Sequence, residues 1–246
     1  MAIDMTKRTE AAEAGIISLL KREAERGIDL GEITAQVVLV VDFSGSMDGR
    51  YCNGEVQATV ERALAMSLAG LDDDGVVPVV FFHHDAFAPI EVTRDNYQGF
   101  VQEFVRRNSM GATNYVPAIN TVLEVLGHRQ KPGWFGRRKG ATSGSPLPAF
   151  VIFVTDGEPS DKSETMSLLA NVSNEPVFWQ FLGLGYSPRF LQQLDTMSGR
   201  LVDNVGLTEM SATRDMNDQA WHTAVLDEYI TSWTPAARQA GIIPPG

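Results

Sequence analysis

Residues 37–47 read Val-Val-Leu-Val-Val-Asp-Phe-Ser-Gly-Ser-Met, an apolar and mostly β-branched run that ends in Asp-x-Ser-x-Ser. An apolar run without polar alternation is typical of a parallel strand that is buried on both faces. The polar residues follow at the C-terminal end of this predicted strand, where open α/β sheets bind their ligands. Asp42, Ser44 and Ser46 supply one carboxylate and two hydroxyls, which suit Mg²⁺, Mn²⁺ or Ca²⁺ better than zinc.

Two later segments carry oxygen side chains in similar positions. Residues 150–157 form a second apolar run, which ends in Thr-Asp-Gly and places Asp156 at its C-terminal end. Residues 109–114 form a glycine-containing loop that brings Thr113 just before a predicted helix. Because the three loops must meet at one point where the strand order reverses, we expect these side chains to lie together. The predicted metal-binding residues are Asp42, Ser44, Ser46, Thr113 and Asp156.

The three motifs, in this order, resemble the metal-ion-dependent adhesion site of von Willebrand factor type A domains, over roughly residues 35–205. The resemblance implies an α/β fold with a doubly wound, mostly parallel sheet, helices on both faces, one antiparallel edge strand and extra terminal helices. In that family the serines and the threonine bind the metal directly, and the aspartates often act through water. The resemblance thus implies Mg²⁺ as the cofactor, with Mn²⁺ or Ca²⁺ as alternatives, and a partner protein whose Glu or Asp completes the coordination.

Further segments resemble one bacterial branch of that family, which is linked to tellurite-resistance and related stress gene clusters. The segments are residues 51–57, 71–75, 95–97 and 111–115. Resemblance to this branch implies a cytoplasmic, non-enzymatic module for protein–protein interaction. It also implies a partner such as a calcium-binding stress protein of the same gene cluster.

Residues in or near the metal motifs, and in a basic segment, are candidates for contact with a partner. The basic segment is rich in glycine and proline and covers about residues 128–148. The six candidates are Asn114, Tyr115, Glu158, Trp134, Arg137 and Arg138. Basic residues next to aromatic ones allow a second function, in which residues 128–139 form an adaptor for an acidic partner or nucleic acid. A surface insertion that only aids solubility is the alternative interpretation.

A metal-dependent phosphatase or hydrolase is a third hypothesis, because an aspartate beside a divalent metal can serve that chemistry. Against it, Asp42-x-Ser44 lacks the second aspartate that is typical of aspartate-nucleophile phosphatases. The motif loops also contain no lysine or arginine to bind a phosphoryl group, and a Gly-Lys-Ser/Thr motif is absent. The sequence therefore favours a binding protein over an enzyme.

The composition limits the setting in which the protein acts. A net charge of −11 disfavours non-specific binding to nucleic acid, and no apolar run is long enough for a membrane span. Cys52 is the only cysteine, which excludes an intrachain disulfide, and residues 1–10 lack the apolar core of a signal peptide. These features predict a cytoplasmic location.

The predicted organisation has three parts. Residues 1–34 are expected to form an amphipathic helix and a connector that pack on the domain. Residues 35–205 are expected to form the domain itself, with its last strand at 201–205. Residues 206–246 are expected to hold a C-terminal helix, over 211–230, and a tail.

Two other groups of residues offer metal-binding side chains. His83, His84 and Asp85 follow a predicted strand, but adjacent histidines on an extended segment point to opposite sides, which favours a loop near the ligand face. Residues 72–74 are three aspartates that lack the spacing of an EF-hand loop. They are expected to form a solvated turn at the opposite end of the sheet from the metal.

Overall fold

A six-stranded sheet forms the centre of the protein in a computed structural model that describes residues 4–128, 147–185, 189–210 and 216–245. The strands are β1 (Gln36–Asp42), β2 (Val77–Phe82), β3 (Ile90–Val92), β4 (Ala149–Thr155), β5 (Val177–Leu184) and β6 (Val205–Met210). Their order across the sheet is β3-β2-β1-β4-β5-β6. In these described ranges β3 is antiparallel to β2, and the other neighbouring strands are parallel.

Helices cover both faces of this sheet. The α-helices are α1 (Met5–Glu25), α2 (Asp48–Cys52), α3 (Glu55–Met66), α4 (Phe100–Arg107), α5 (Val116–Val125), α6 (Lys162–Asn171), α7 (Arg189–Asp195), α8 (Asp218–Glu228) and α9 (Thr234–Gln239). Short turns of 3₁₀ or π-helix lie at Gly45–Met47, Ser67–Leu71 and Tyr229–Trp233. Within the part of the chain described, no helix combines the length and the apolar character needed to cross a membrane.

The strand order reverses beside β1. On one side β1 pairs with β2, with Asp42 opposite Phe82, and on the other side it pairs with β4, with Val41 opposite Val154. Such a reversal opens a crevice at the C-terminal ends of the two strands. The predicted doubly wound α/β fold, with one antiparallel edge strand and added terminal helices, is confirmed.

The apolar run of β1 is buried on both faces, as its sequence predicts. Val37, Leu39 and Val41 belong to one hydrophobic core, and Val38 and Val40 belong to the core on the other face. The alternation arises because successive side chains of a strand point to opposite faces. A fully buried strand at the centre of the sheet gives the loop after Asp42 a rigid base.

The N-terminal helix packs on the domain together with α8. Ala12 and Leu19 of α1 share one hydrophobic core with Trp221 and Val225 of α8. A Cβ built on Gly15 would lie 3.1 Å from the His222 Cβ, so glycine at this position lets the two helices approach closely. The helix is thus part of the packed structure rather than an exposed partner-binding arm.

The C-terminal elements begin later than the sequence indicates. The last strand is Val205–Met210 rather than 201–205, and the helix that follows begins at Asp218. Residues 211–215, where that helix was expected to start, lie outside the described residues. The last strand was predicted too early because β6, which has one neighbouring strand within the described residues, contains Gly, Thr and Glu that break its apolar pattern. A boundary at residue 205 would cut this strand from its sheet, and the three-part division otherwise stays a prediction.

The acidic turn lies at the opposite end of β1 from Asp42. The carboxylates of Asp72, Asp73 and Asp74 lie within 4.8 Å of one another. Asp72 Oδ2 accepts a 2.9 Å hydrogen bond from Val37 N, at the start of β1, and its Oδ1 accepts one from Asp73 N. Through these bonds the acidic turn caps the first residues of β1.

Candidate metal centre

The loops that follow β1 and β4 meet through their side chains. Ser46 Oγ donates a 2.7 Å hydrogen bond to Asp156 Oδ1, and it lies 3.1 Å from Ser44 Oγ. Ser44 is buried, whereas Ser46 is exposed. The structure therefore brings together three of the predicted metal-binding side chains around one space.

The Thr113 loop joins this group through backbone pairing. Gly111 N donates to Phe43 O at 3.2 Å, and Gly45 N donates to Gly111 O at 3.3 Å. A Cβ built on Gly157 would lie 3.8 Å from Ser46 Oγ and 4.0 Å from Thr113 Oγ1. The two hydroxyls thus face the same glycine, and a Cβ at this position would lie at contact distance from both.

Asp42 lies beneath the site with both carboxylate oxygens hydrogen-bonded. Oδ1 accepts from Ser44 N at 2.8 Å, and Oδ2 accepts from Thr155 Oγ1 at 2.7 Å. Burial raises the pKa of Asp42 to about 6, although the hydrogen bonds from Thr155 and Ser44 act in the opposite direction. The position of Asp42 suits a residue that fixes the loop, because both of its oxygens are already engaged.

Two buried tyrosines support the loops from below. Tyr51 OH donates to Asp42 O at 2.8 Å, and Tyr115 OH donates to Gly157 O at 2.6 Å. Burial raises the pKa of both phenols well above the usual value, so both remain neutral donors. The prediction that Tyr115 contacts a partner is wrong, because its side chain is fully buried and its hydroxyl is used inside the site.

Asp161 ties the Thr113 loop to the Asp156 loop. Its Oδ1 accepts from Tyr115 N at 3.0 Å and its Oδ2 accepts from Val116 N at 2.8 Å, at the start of α5. In addition, Ser160 N donates to Thr113 O at 2.9 Å. A carboxylate at this position satisfies amide groups that the first turn of a helix leaves unpaired. The two loops are therefore held as one unit.

Arg50 also lies at the site, although its place in the sequence did not predict this. Its Nε lies 3.5 Å from Asp156 Oδ2, and its Nη1 donates to Glu55 Oε2 at 2.9 Å. The motif loops themselves contain no arginine, but the fold places Arg50 beside Asp156. The one feature of the sequence that could have indicated this contact is that Arg50 follows Ser46 by only four residues.

The other residues predicted to contact a partner differ in how exposed they are and in whether the structure describes them. Glu158 is exposed, and a hydrogen bond from Lys162 lowers the pKa of Glu158. Asn114 is half-buried, with its N donating to His83 O at 2.9 Å and its Nδ2 donating to His84 O at 3.1 Å. Trp134, Arg137 and Arg138 lie outside the described residues.

The histidine pair lies against the Thr113 loop. The rings of His83 and His84 stack at 4.0 Å with an angle of 2° between their planes, beside Gly111. The expectation that they point to opposite sides is wrong, because the chain has left the extended conformation of β2 and bends at these residues. Across the described ranges, metal-binding atoms of three or more His, Cys, Asp or Glu residues gather only in the acidic turn, Asp72–Asp74.

The donor set at the crevice fits a small divalent cation. Hydroxyl and carboxylate oxygens are ligands that Mg²⁺, Mn²⁺ and Ca²⁺ accept. The residues that would hold the ion are those predicted from the sequence, and Gly157 lies beside two of their hydroxyls. Their role as ligands stays a prediction.

Comparisons with known proteins agree with this architecture. Residues 34–243 match the family model vWA-TerF-like, described as the vWA found in the TerF C terminus. The uncharacterized protein YcbR of Bacillus subtilis (strain 168) is 31% identical over 219 residues, which are 87% of this chain and 83% of that protein.

Two solved structures match this chain at low sequence identity. The open conformation of the pilus adhesin SpaC from Lactobacillus rhamnosus GG has a TM-score of 0.51 and 13% identity, over 82% of this chain and 31% of that chain. Proximal thread matrix protein 1 from the mussel byssus, with a zinc-occupied MIDAS motif, has a TM-score of 0.47 and 18% identity, over 79% of this chain and 46% of that chain. Both matches thus span less than half of the other chain. The family match, which covers most of the present sequence, shows that this chain belongs to the TerF-like von Willebrand factor type A domains.

Proposed function

We propose that this protein is a non-enzymatic module that binds other proteins through a divalent metal ion. The observation that carries the proposal is the contact of Ser44, Ser46 and Asp156 around one space. Ser44 Oγ lies 3.1 Å from Ser46 Oγ, and Ser46 Oγ donates a 2.7 Å hydrogen bond to Asp156 Oδ1. Thr113 faces the same space across Gly157. Four side chains from three loops thus offer oxygen atoms at the crevice, where sheets of this class bind ligands.

The residues of the centre have different roles in this proposal. Ser44, Ser46 and Thr113 are the direct ligands, since their hydroxyls face the crevice. Asp42 orients Ser44 by accepting a hydrogen bond from the Ser44 backbone amide. Asp156 orients Ser46 by accepting a hydrogen bond from the Ser46 hydroxyl. A Mg²⁺ ion held mainly by hydroxyls and water would keep enough positive charge to accept a carboxylate from a partner. Mn²⁺ and Ca²⁺ are the alternative ions.

The partner in this proposal is a protein that presents a Glu or Asp side chain. Membership of the TerF-like family supports a role in a bacterial tellurite-resistance or related stress response, in the cytoplasm. A calcium-binding stress protein of the same gene cluster is the proposed partner. The exposed Glu158 and the half-buried Asn114 lie next to the centre and belong to the proposed contact surface.

The alternative functions receive less support from the described residues. Arg50 lies near the centre, but its guanidinium already pairs with Glu55 and Asp156 and is not free to bind a phosphoryl group. A phosphatase or hydrolase therefore remains the weaker hypothesis. The adaptor hypothesis depends on residues 129–146, which lie outside the described ranges, and stays a prediction.

The test compares Thr113→Ala with Thr113→Ser, which keeps the hydroxyl. We expect Mn²⁺ binding, measured by titration calorimetry, to survive in the serine variant and to fall at least roughly tenfold in the alanine variant. Capture of proteins from a bacterial lysate should follow the same order and should disappear when EDTA replaces Mg²⁺. Equal metal binding and equal capture by both variants would contradict the proposal. Metal-dependent turnover of a phosphate ester that only the alanine variant loses would favour the enzyme hypothesis instead.

A further inference from the structure

Arg50 lies in a position where its charge acts on the metal centre. Its Nε is 3.5 Å from Asp156 Oδ2, while Asp156 Oδ1 accepts the hydrogen bond from Ser46. The side chain of Arg50 is only 20% exposed, and that of Asp156 is 11% exposed. An ion pair that is largely shielded from water keeps more of its electrostatic interaction than a pair at the surface.

The guanidinium occupies a space that the surrounding backbone leaves open for it. Gly185, at the end of β5, has a φ angle of +78°, and a Cβ built there would collide with Arg50 Nη2. On its other side, Arg50 Nη1 donates to Glu55 Oε2 at 2.9 Å, at the first residue of α3. Arg50 is therefore held in place by two carboxylates and a glycine, and it is not a freely moving surface charge.

We propose that Arg50 is an internal cation that competes electrostatically with the divalent metal ion for the negative charge of Asp156 and thereby sets the metal affinity of the centre. This inference rests on the proposed metal centre. The positive charge of the guanidinium neutralises part of the charge of Asp156, and it repels a second cation placed on the other side of that carboxylate. Arg50 therefore weakens metal binding without touching the metal.

Glu55 has the opposite effect in this arrangement. Its carboxylate shares the guanidinium with Asp156 and reduces the positive charge that the centre experiences. Loss of the Arg50 charge should therefore strengthen metal binding, whereas loss of the Glu55 charge should weaken it. A purely structural role for the pair would change metal binding in the same direction in both variants, because either change would loosen the loop.

The experiment measures Mn²⁺ affinity of the metal-free protein by electron paramagnetic resonance, for wild type, Arg50→Gln, Arg50→Lys and Glu55→Gln. We expect Arg50→Gln to bind about three- to tenfold more tightly, and Arg50→Lys to stay within about twofold of wild type. Glu55→Gln should bind roughly threefold more weakly, and all differences should shrink at high salt. Thermal unfolding of each metal-free variant confirms that it is folded.

The outcomes separate this inference from the proposed function. If wild type binds Mn²⁺ and Arg50→Gln binds it equally or more weakly, Arg50 does not compete with the metal. If Arg50→Gln fails to fold, Glu55→Gln decides the question, since tighter binding in that variant contradicts the charge argument. If folded wild type binds no Mn²⁺, the metal centre itself is wrong and the role of Arg50 falls with it.

Discussion

Ser46 and Asp156 are 110 residues apart in the chain, and the 2.7 Å hydrogen bond between Ser46 Oγ and Asp156 Oδ1 joins the loops after β1 and β4. The bond connects the two sides of the position where the strand order reverses. The same carboxylate faces Arg50 through its second oxygen. Asp156 is therefore the side chain on which the geometry and the charge of the centre both depend.

Replacement of Asp156 by Asn should weaken Mn²⁺ binding by at least roughly tenfold, because a neutral amide would replace a carboxylate beside the proposed cation position. Glu158→Gln is the matched control, since it removes the same charge from the same loop. Glu158 is exposed and pairs with Lys162, so this variant should change the affinity by less than about twofold. Equal losses in the two variants would show that only the overall charge of the loop matters.

Replacement of Asp161 by Ala should lower the free energy of unfolding by about 1–2 kcal/mol, measured by urea denaturation. The change removes both acceptors of the Tyr115 and Val116 amides at the start of α5. Asp161→Asn keeps one acceptor oxygen and should lose less stability. An alanine variant as stable as wild type would mean that Asp161 does not hold the two loops together.

Replacement of Tyr115 by Phe should lower the free energy of unfolding by about 1 kcal/mol, because the half-buried Gly157 carbonyl loses the hydrogen bond that the Tyr115 hydroxyl donates. Tyr97→Phe serves as the control, since the Tyr97 hydroxyl only accepts an exposed hydrogen bond from Gln98. Urea denaturation of both variants provides the measurement. Equal stability of the two variants would contradict the supporting role assigned to Tyr115.

The acid stability of the protein should depend on His222. Burial lowers the pKa of His222 to about 3, from 6.5 in the unfolded chain, and neither ring nitrogen has a hydrogen-bond partner among the described residues. Of the facing charges, Asp218 raises this pKa, whereas Arg62 and Arg8 lower it. The unfolded chain takes up a proton below pH 6.5 and the folded protein does not, so the stabilising contribution is complete above pH 6.5 and declines towards pH 3.

The measurement compares wild type with His222→Leu by urea denaturation between pH 4 and pH 8. The stability of wild type should fall relative to the variant by up to about 1.4 kcal/mol per pH unit below pH 6.5. Taking the difference between the two proteins cancels the contribution of other titrating groups. Parallel curves over the whole range would show that His222 takes up a proton as readily in the folded protein as in the unfolded chain.

The sequence predicted those features that depend on local pattern. The apolar runs of β1 and β4 each end in a polar motif, so Asp42 and Asp156 could be placed at strand ends without any knowledge of contacts. The fold followed from the order of these motifs and from a resemblance that the family match confirms. The grouping of the predicted metal-binding side chains at one edge is a direct result of parallel strands.

The features that the sequence did not predict depend on contacts between distant segments. Arg50 meets Asp156 only because α2 folds back towards the loop after β4. Tyr115 follows the Thr113 motif and looked accessible, but α5 turns its ring into the core against Phe153. The histidine pair stacks because the chain bends after Phe82, which no local propensity of histidine indicates.

The contact of Asp161 with the first amides of α5 couples the position of that helix to the loop after β4. The ten residues of α5 extend over about 15 Å from the edge that carries Thr113. The helix is continuous from Val116 to Val125, so a displacement of the loop that contains Asp161 would be transmitted along it to Leu126. The basic segment of the chain starts immediately beyond that point, and its attachment would therefore follow any movement of the metal loops.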